Sequence, residues 1–349
     1  MMNMLNKKNR IENIDVVRGI AMISIVLGHL GNSDINRIVF TFHLPVFFLI
    51  TGYFLNANTS YKSFLIRKVK TLIIPYYFSC FLVICSAIII NLVFDNGVGL
   101  KKMICRWIHA SLYGAGDNYT QPFSIYAIGA LWFLLATFWG TLVFRALIEC
   151  KWYIRFSVVI IMAILGYTTS RFLFWFPLSV QAGCCALIYI YIGFIFRKIN
   201  EMYTLSEASI EIKCVISVSA LAIWISFIRG FQSFWLVHFD LGRGFVDVFA
   251  SLCGCYIVFL IGSFIDNKIR FLGKGLAFLG RYSIIFLSAH IVELNTFPWR
   301  RMYVFFEEDD ISEFSYLIFR IVFKLLWIIL FTIVFSKIKI IRRIYGIVD

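Results

Sequence analysis

Of the 349 residues, 61% are hydrophobic, 18% are aromatic and only 15% are charged, and the mean hydropathy is +0.85. That balance lies far outside the range of water-soluble globular chains and marks an integral membrane protein. The formal net charge of +14 would suit a nucleic-acid binder. The basic residues, however, fall in short clusters between apolar runs rather than along one polar face, which excludes that class and makes them topology signals.

A hydrocarbon layer about 30 Å thick takes roughly 20 apolar residues to cross as helix. Segments of that kind run near 14–31, 38–55, 71–94, 127–148, 154–170, 180–196, 212–229, 244–264, 275–293 and 315–336. The expected fold is therefore all-α, a polytopic membrane bundle of about ten transmembrane helices in a single domain over residues 1–349. The opening MMNMLNKKNRIEN leads into the first span without a small-residue cleavage site, so that span is expected to be retained. With an inside amino terminus, the inner segments hold about 19 Lys and Arg, including Lys7, Lys8, Lys62, Arg67, Lys68 and Arg342, against about nine outside. This bias places both termini in the cytoplasm.

The two longest outer loops are more than connections. Residues 95–126 contain KKMICRWIHASLYG, in which Met103, Trp107 and Leu112 approximate one helical face, suiting a helix at the membrane surface or a cap over the bundle. Residues 294–314 carry PWRRMYVFFEEDD, read as an interfacial aromatic belt or a polar docking patch. The nine cysteines mostly lie inside apolar stretches without a CxxC pair and read as small buried hydrophobes, Cys105 alone facing an aqueous loop.

Ionisable residues inside spans are costly and raise a functional question by default. Eleven residues separate Arg18 from His29; at about 100° per residue they lie about 20° from alignment, with a rise of about 16 Å. Asp15, Arg18, Met22, Ile25 and His29 therefore form one stripe, expected to border a polar path from a charged mouth to a titratable ring. Asp15 and Arg18, at i and i+3, would also pair simply as interfacial charges, and a lone buried histidine is commonly structural. In the second span His43 stands two residues before Pro45, expected to bend or break the helix there and free backbone groups, and Tyr53 closes the run. His290 lies late in the ninth span. Arg320 and Lys324, at i and i+4 in the last span, share a face and either snorkel or bind an anionic lipid-linked acceptor.

Taken in order, RIENIDVVRGIAMISIVLGHL, FTFHLPVFFLITGYFL, LIRKVKTLIIPYY, GALWFLLATF, FPLSVQAGCCALIYIYIGFIFRK and FLGRYSIIFLSAH resemble successive blocks of the integral-membrane acyltransferase family often called acyltransferase three. The resemblance covers essentially the whole chain, and its most specific element is the arginine and histidine of the first span. It implies an O-acyltransferase in a bacterial inner membrane, moving an acetyl or other short acyl group from acyl-CoA to a hydroxyl of a cell-envelope or exopolysaccharide glycan, or of a lipid-linked sugar. Thr51 replaces the more usual serine before Gly52, LWFLLA around Trp132 lacks the glutamate of the lipopolysaccharide-modifying branch, and no fused esterase-like domain is expected after the tenth span. The resemblance is thus closest to the stand-alone branch.

Activating a sugar hydroxyl calls for a base, and histidine suits that task at neutral pH. On this resemblance His29 is the expected base or, in a variant, is transiently acylated; His43 assists it or braces it. Arg18 is expected to hold coenzyme A phosphate with Asp15 orienting it. Tyr53, Trp132, His290, Arg320 and Lys324 are candidate pocket residues. Acetyl-CoA is the expected donor co-substrate, with no metal, no nucleic acid, membrane lipids as surroundings and homo-oligomerisation open. Composition and charge bias alone would equally support a transporter or exporter of a glycan or small anion, although no inverted repeat is visible.

Overall fold

The computed structural model describes residues 7–94, 99–202, 209–308 and 312–347. The amino-terminal helix α1 (Lys7–Gly28) is followed by α2 (Ser33–Val39) and α3 (His43–Phe54), separated by a short turn. Helix α4 (Tyr61–Lys68) runs through a π-helical turn at Val69–Ile73 into α5 (Ile74–Phe94). Pro75 has no N–H to return to the preceding turn, and the wider loop, in which the Ile74 N–H reaches the Val69 carbonyl, absorbs the missing bond without breaking the helix. Next come α6 (Leu100–Tyr113), α7 (Trp132–Leu147), α8 (Trp152–Phe172), α9 (Val180–Met202), α10 (Ile210–Arg229) and α11 (Phe245–Lys268). Helices α12 (Arg270–Arg281) and α13 (Ser283–Thr296) meet at 77°, and α14 (Trp299–Glu308), α15 (Glu313–Lys337) and α16 (Lys339–Ile344) complete the described chain.

Every span read from the sequence overlaps helix, although 38–55 takes in parts of both α2 and α3 and 275–293 parts of both α12 and α13. By length and apolar composition, seven of the described helices can cross a membrane, or eight if the bent α12–α13 pair is one span. The remaining two of the predicted ten are α1 and α7. Helix α1 carries Glu12, Asp15 and Arg18 between its start and its middle, and α7 has 16 residues, short of a full crossing at 1.5 Å per residue. Large apolar side chains such as Leu92, Phe172, Val215 and Leu330 point outward, as a lipid-facing surface requires.

Helix α1 packs against α12, α11, α3 and α13, and its Val16, Val17, Ala21 and Val26 are fully buried. A side-chain carbon on Gly19 would collide with the Leu276 carbonyl, and one on Gly280 with the Asp15 carbonyl, so α1 and α12 touch backbone to backbone. Gly52 against Ile190 and Gly193 against Leu49 bring α3 and α9 equally close. Lipid tails are as apolar as leucine, so helices in a bilayer associate through this kind of close contact between small residues rather than through the hydrophobic effect.

Three expectations need correction. The second span is interrupted at residues 40–42, before His43 rather than at Pro45; Pro45 lies in the first turn of α3, where an N–H has no helical partner to lose. Part of the expected 294–314 loop is helix α14, and Trp299 turns toward buried charges instead of joining an interfacial belt. Cys214, expected as a small buried hydrophobe, is exposed on α10. Helix α6 forms within the predicted surface segment; residues 95–98 of that segment lie outside the described residues.

Candidate active site

The end of α1 fixes the His29 ring. Its last turn tightens, His29 N–H bonding the Val26 carbonyl and Leu30 N–H the Leu27 carbonyl, both at 3.2 Å. That leaves the Ile25 carbonyl to accept from His29 Nδ1 at 2.8 Å. Gly31, at φ +76°, then turns the chain toward α2, whose first N–H groups are capped by Asn32. A carbonyl oxygen only accepts, so Nδ1 carries the hydrogen and Nε2 of the neutral ring is left as a bare acceptor. His43 repeats the device at the head of α3, donating from Nδ1 to the Val39 carbonyl at 2.6 Å, and His43, His290 and Lys324 all stand within electrostatic range of His29.

Helix α13 supplies the neighbour of His29. The His290 ring meets His29 edge-on at a centroid distance of 5.0 Å and an interplanar angle of 65°. One turn on, Glu293 accepts from Lys324 Nζ of α15 at 2.6 Å and from the Trp299 indole N–H on the same oxygen. Its second oxygen, Oε2, lies 3.5 Å from His290 Nδ1. His290, Glu293 and Lys324 are at most 2% exposed, and a charge so placed persists only where an opposite charge and donors compensate its lost hydration. Both His290 ring nitrogens and Glu293 Oε2 lack a hydrogen-bond partner among the described residues.

Reasoning from sequence missed Glu293. The span assignment ended on it, and the i, i+3 spacing from His290 together with the uncompensated Lys324 were the available signals.

Arg320, one turn before Lys324, donates from Nη1 to the Leu30 carbonyl at 3.1 Å. Its guanidinium lies 5.6 Å from the Trp299 ring centroid and 5.5 Å from that of Tyr316. A cavity of about 600 Å³ opens beside it, lined by Leu30, Asn32, Trp299, Tyr303, Tyr316 and Arg320 among others. Arg320 and Lys324 do share a face, as their spacing predicts, and both lie over Trp299.

Half-way along α1, at the other end of the stripe, Arg18 Nη1 lies 3.2 Å from Asp15 Oδ1. Lys68 is within electrostatic range of Arg18, and Arg281 and Glu12 of Asp15. Between the ends of the stripe, Met22 and Ile25 are 2% and 3% exposed. The middle is thus packed with apolar side chains, not with the expected polar lining.

One candidate pocket residue stands apart. Tyr53 lies at the far end of α3, about 15 Å along the helix from His43, and accepts from Asn200 Nδ2 at 3.1 Å. Trp132, buried at the start of α7, lies against Gly116. Among the described residues no group of three or more His, Cys, Asp or Glu is placed to hold a metal ion.

Across these helices the family model described as "Acyltransferase domain", of the acyltransferase-3 family, matches residues 11–337. The chain belongs to that family. It is accordingly a multi-pass membrane protein of acyltransferase type, and the matched region takes in both ends of the His29 stripe, the histidine cluster and Lys324. Comparison with curated proteins gives no match.

Proposed function

We propose that this acyltransferase-3 family member moves an acetyl or other short acyl group from acyl-CoA to a hydroxyl of a cell-envelope glycan, in a bacterial inner membrane with both termini cytoplasmic. The observation that carries the reading is the bond from His29 Nδ1 to the Ile25 carbonyl, which leaves Nε2 bare three helical turns beyond the Arg18–Asp15 pair. Arg18, steadied by Asp15, holds a coenzyme A phosphate by charge-assisted hydrogen bonds. The pantetheine arm runs the ~16 Å to His29, displacing Met22, whose unbranched side chain readily changes rotamer.

The acceptor hydroxyl gives its proton to His29 Nε2 as its oxygen bonds to the thioester carbonyl carbon. Collapse of the tetrahedral intermediate breaks the carbon–sulfur bond, and the imidazolium returns the proton to the departing thiolate. His43 commits its one N–H to Val39, so as a neutral ring it accepts a hydrogen bond from a second hydroxyl of the acceptor and orients the sugar instead of polarising the thioester carbonyl. Mass spectrometry of envelope glycans from cells with and without the gene tests the reading: an acyl increment present only with the gene is expected, and identical glycans would overturn it.

A further inference from the structure

Arg320 and Lys324 of α15 have different fates. Lys324 is neutralised by Glu293 at 2.6 Å. Arg320 has no carboxylate within ion-pair distance among the described residues; its one hydrogen bond goes to the Leu30 carbonyl, and its Nε is buried without a partner. A guanidinium beside the membrane interior that meets only aromatic faces and a carbonyl is an incomplete site, since its planar fork is built to grip two oxygens of one anion. It also lines the roughly 600 Å³ cavity, a volume typical of small-molecule sites.

We infer that this cavity takes an anionic acceptor, a sugar bearing a carboxylate or phosphate whose oxygens seat on Arg320 while its ring lies against the aromatic walls. This rests on the acyl-transfer reading above and narrows its acceptor class. Three further features support it. The cavity lining begins at Leu30, the residue directly after His29, and the Leu30 carbonyl is the one that Arg320 holds, so an anion on Arg320 is held one residue along the chain from the base. Trp299, Tyr303 and Tyr316 line the same cavity, and flat aromatic faces suit the apolar side of a sugar ring. Glu313, also on the lining, lies seven residues before Arg320, about 10 Å along α15, and so keeps the negative end of a ligand at the Arg320 end.

The test follows isotopically labelled acetate into cells that make the protein, cells that lack it, and cells carrying Arg320→Gln or Arg320→Lys, with folding checked by detergent-solubilised size exclusion. Acylated sugars are released and identified by mass spectrometry. The inference expects gene-dependent acyl groups on sugars that carry a carboxylate or a phosphate, the fragment masses telling the two apart. It expects that label to fall about ten-fold or more in Arg320→Gln, as loss of a charge-assisted contact implies, and to be partly retained in Arg320→Lys. Acyl groups confined to neutral sugars, or anionic products undiminished in a folded Arg320→Gln protein, would overturn the inference and leave the acyltransferase reading standing. Absence of any gene-dependent acyl sugar would overturn both.

Discussion

Replacing Lys324 by methionine probes the charge pair that closes the cluster. Lys324 Nζ lies 2.6 Å from Glu293 Oε1, and both residues are at most 2% exposed. Taking away one partner leaves the Glu293 carboxylate buried with the Trp299 N–H as its remaining donor. Breaking a buried pair in this way costs about 3–5 kcal/mol, whereas removing both charges together is close to neutral. Lys324→Met alone should therefore lower stability by about 3 kcal/mol or more, and Glu293→Gln with Lys324→Met should recover most of that loss. Unfolding of the purified protein in mixed micelles at increasing SDS fraction, followed by tryptophan fluorescence, gives both values and the coupling between them. A single-variant cost under about 1 kcal/mol, or a double variant whose cost equals the sum of the singles, would refute the description of Glu293 and Lys324 as a desolvated, mutually dependent pair.

The remaining predictions concern the donor mouth, the helix contacts and the outlying tyrosine. Arg18→Ala should weaken binding of coenzyme A by about ten-fold or more with little change in thermal stability, measured by calorimetry on protein in nanodiscs; unchanged affinity would remove Arg18 from the donor site. Gly280→Ala should destabilise by about 1–3 kcal/mol because its new methyl meets the Asp15 carbonyl, whereas Gly275→Ala, in the same helix and facing open space, should be neutral or stabilising; equal melting temperatures for the two would contradict the backbone contact. Tyr53→Phe, which removes a hydroxyl bonded to Asn200 far from His29, should leave the acyl-transfer rate within about two-fold, and a large loss would bring Tyr53 back into the site.

The His29 stripe was legible because an eleven-residue interval closes three helical turns nearly without remainder, and the structure runs one unbroken helix from before Arg18 to Gly28, next to His29. The approach of His43 and His290 to His29 was legible only as a guess from parallel positions in separate spans, since no local pattern dictates which faces of α1, α3 and α13 meet. Glu293 was hidden because a span boundary drawn by hydropathy discards the polar residue that ends it, and hydropathy cannot tell a carboxylate facing water from one facing a buried lysine. Helix α14 escaped notice for a related reason: its charges read as loop, while the tryptophan that opens it packs inward. The break in the second span was assigned to Pro45 because proline is the usual breaker, but a proline in a first turn breaks nothing.

The central claim is that His29 takes the proton of the acceptor hydroxyl. It is tested most directly by comparing wild-type and His29→Gln protein in proteoliposomes supplied with radiolabelled acetyl-CoA and the glycan fraction from cells lacking the gene, with coenzyme A binding measured on the same preparations. The account predicts label in the glycan for the wild type, none above background for His29→Gln, and the same coenzyme A affinity for both; label transferred by His29→Gln at the wild-type rate would contradict it.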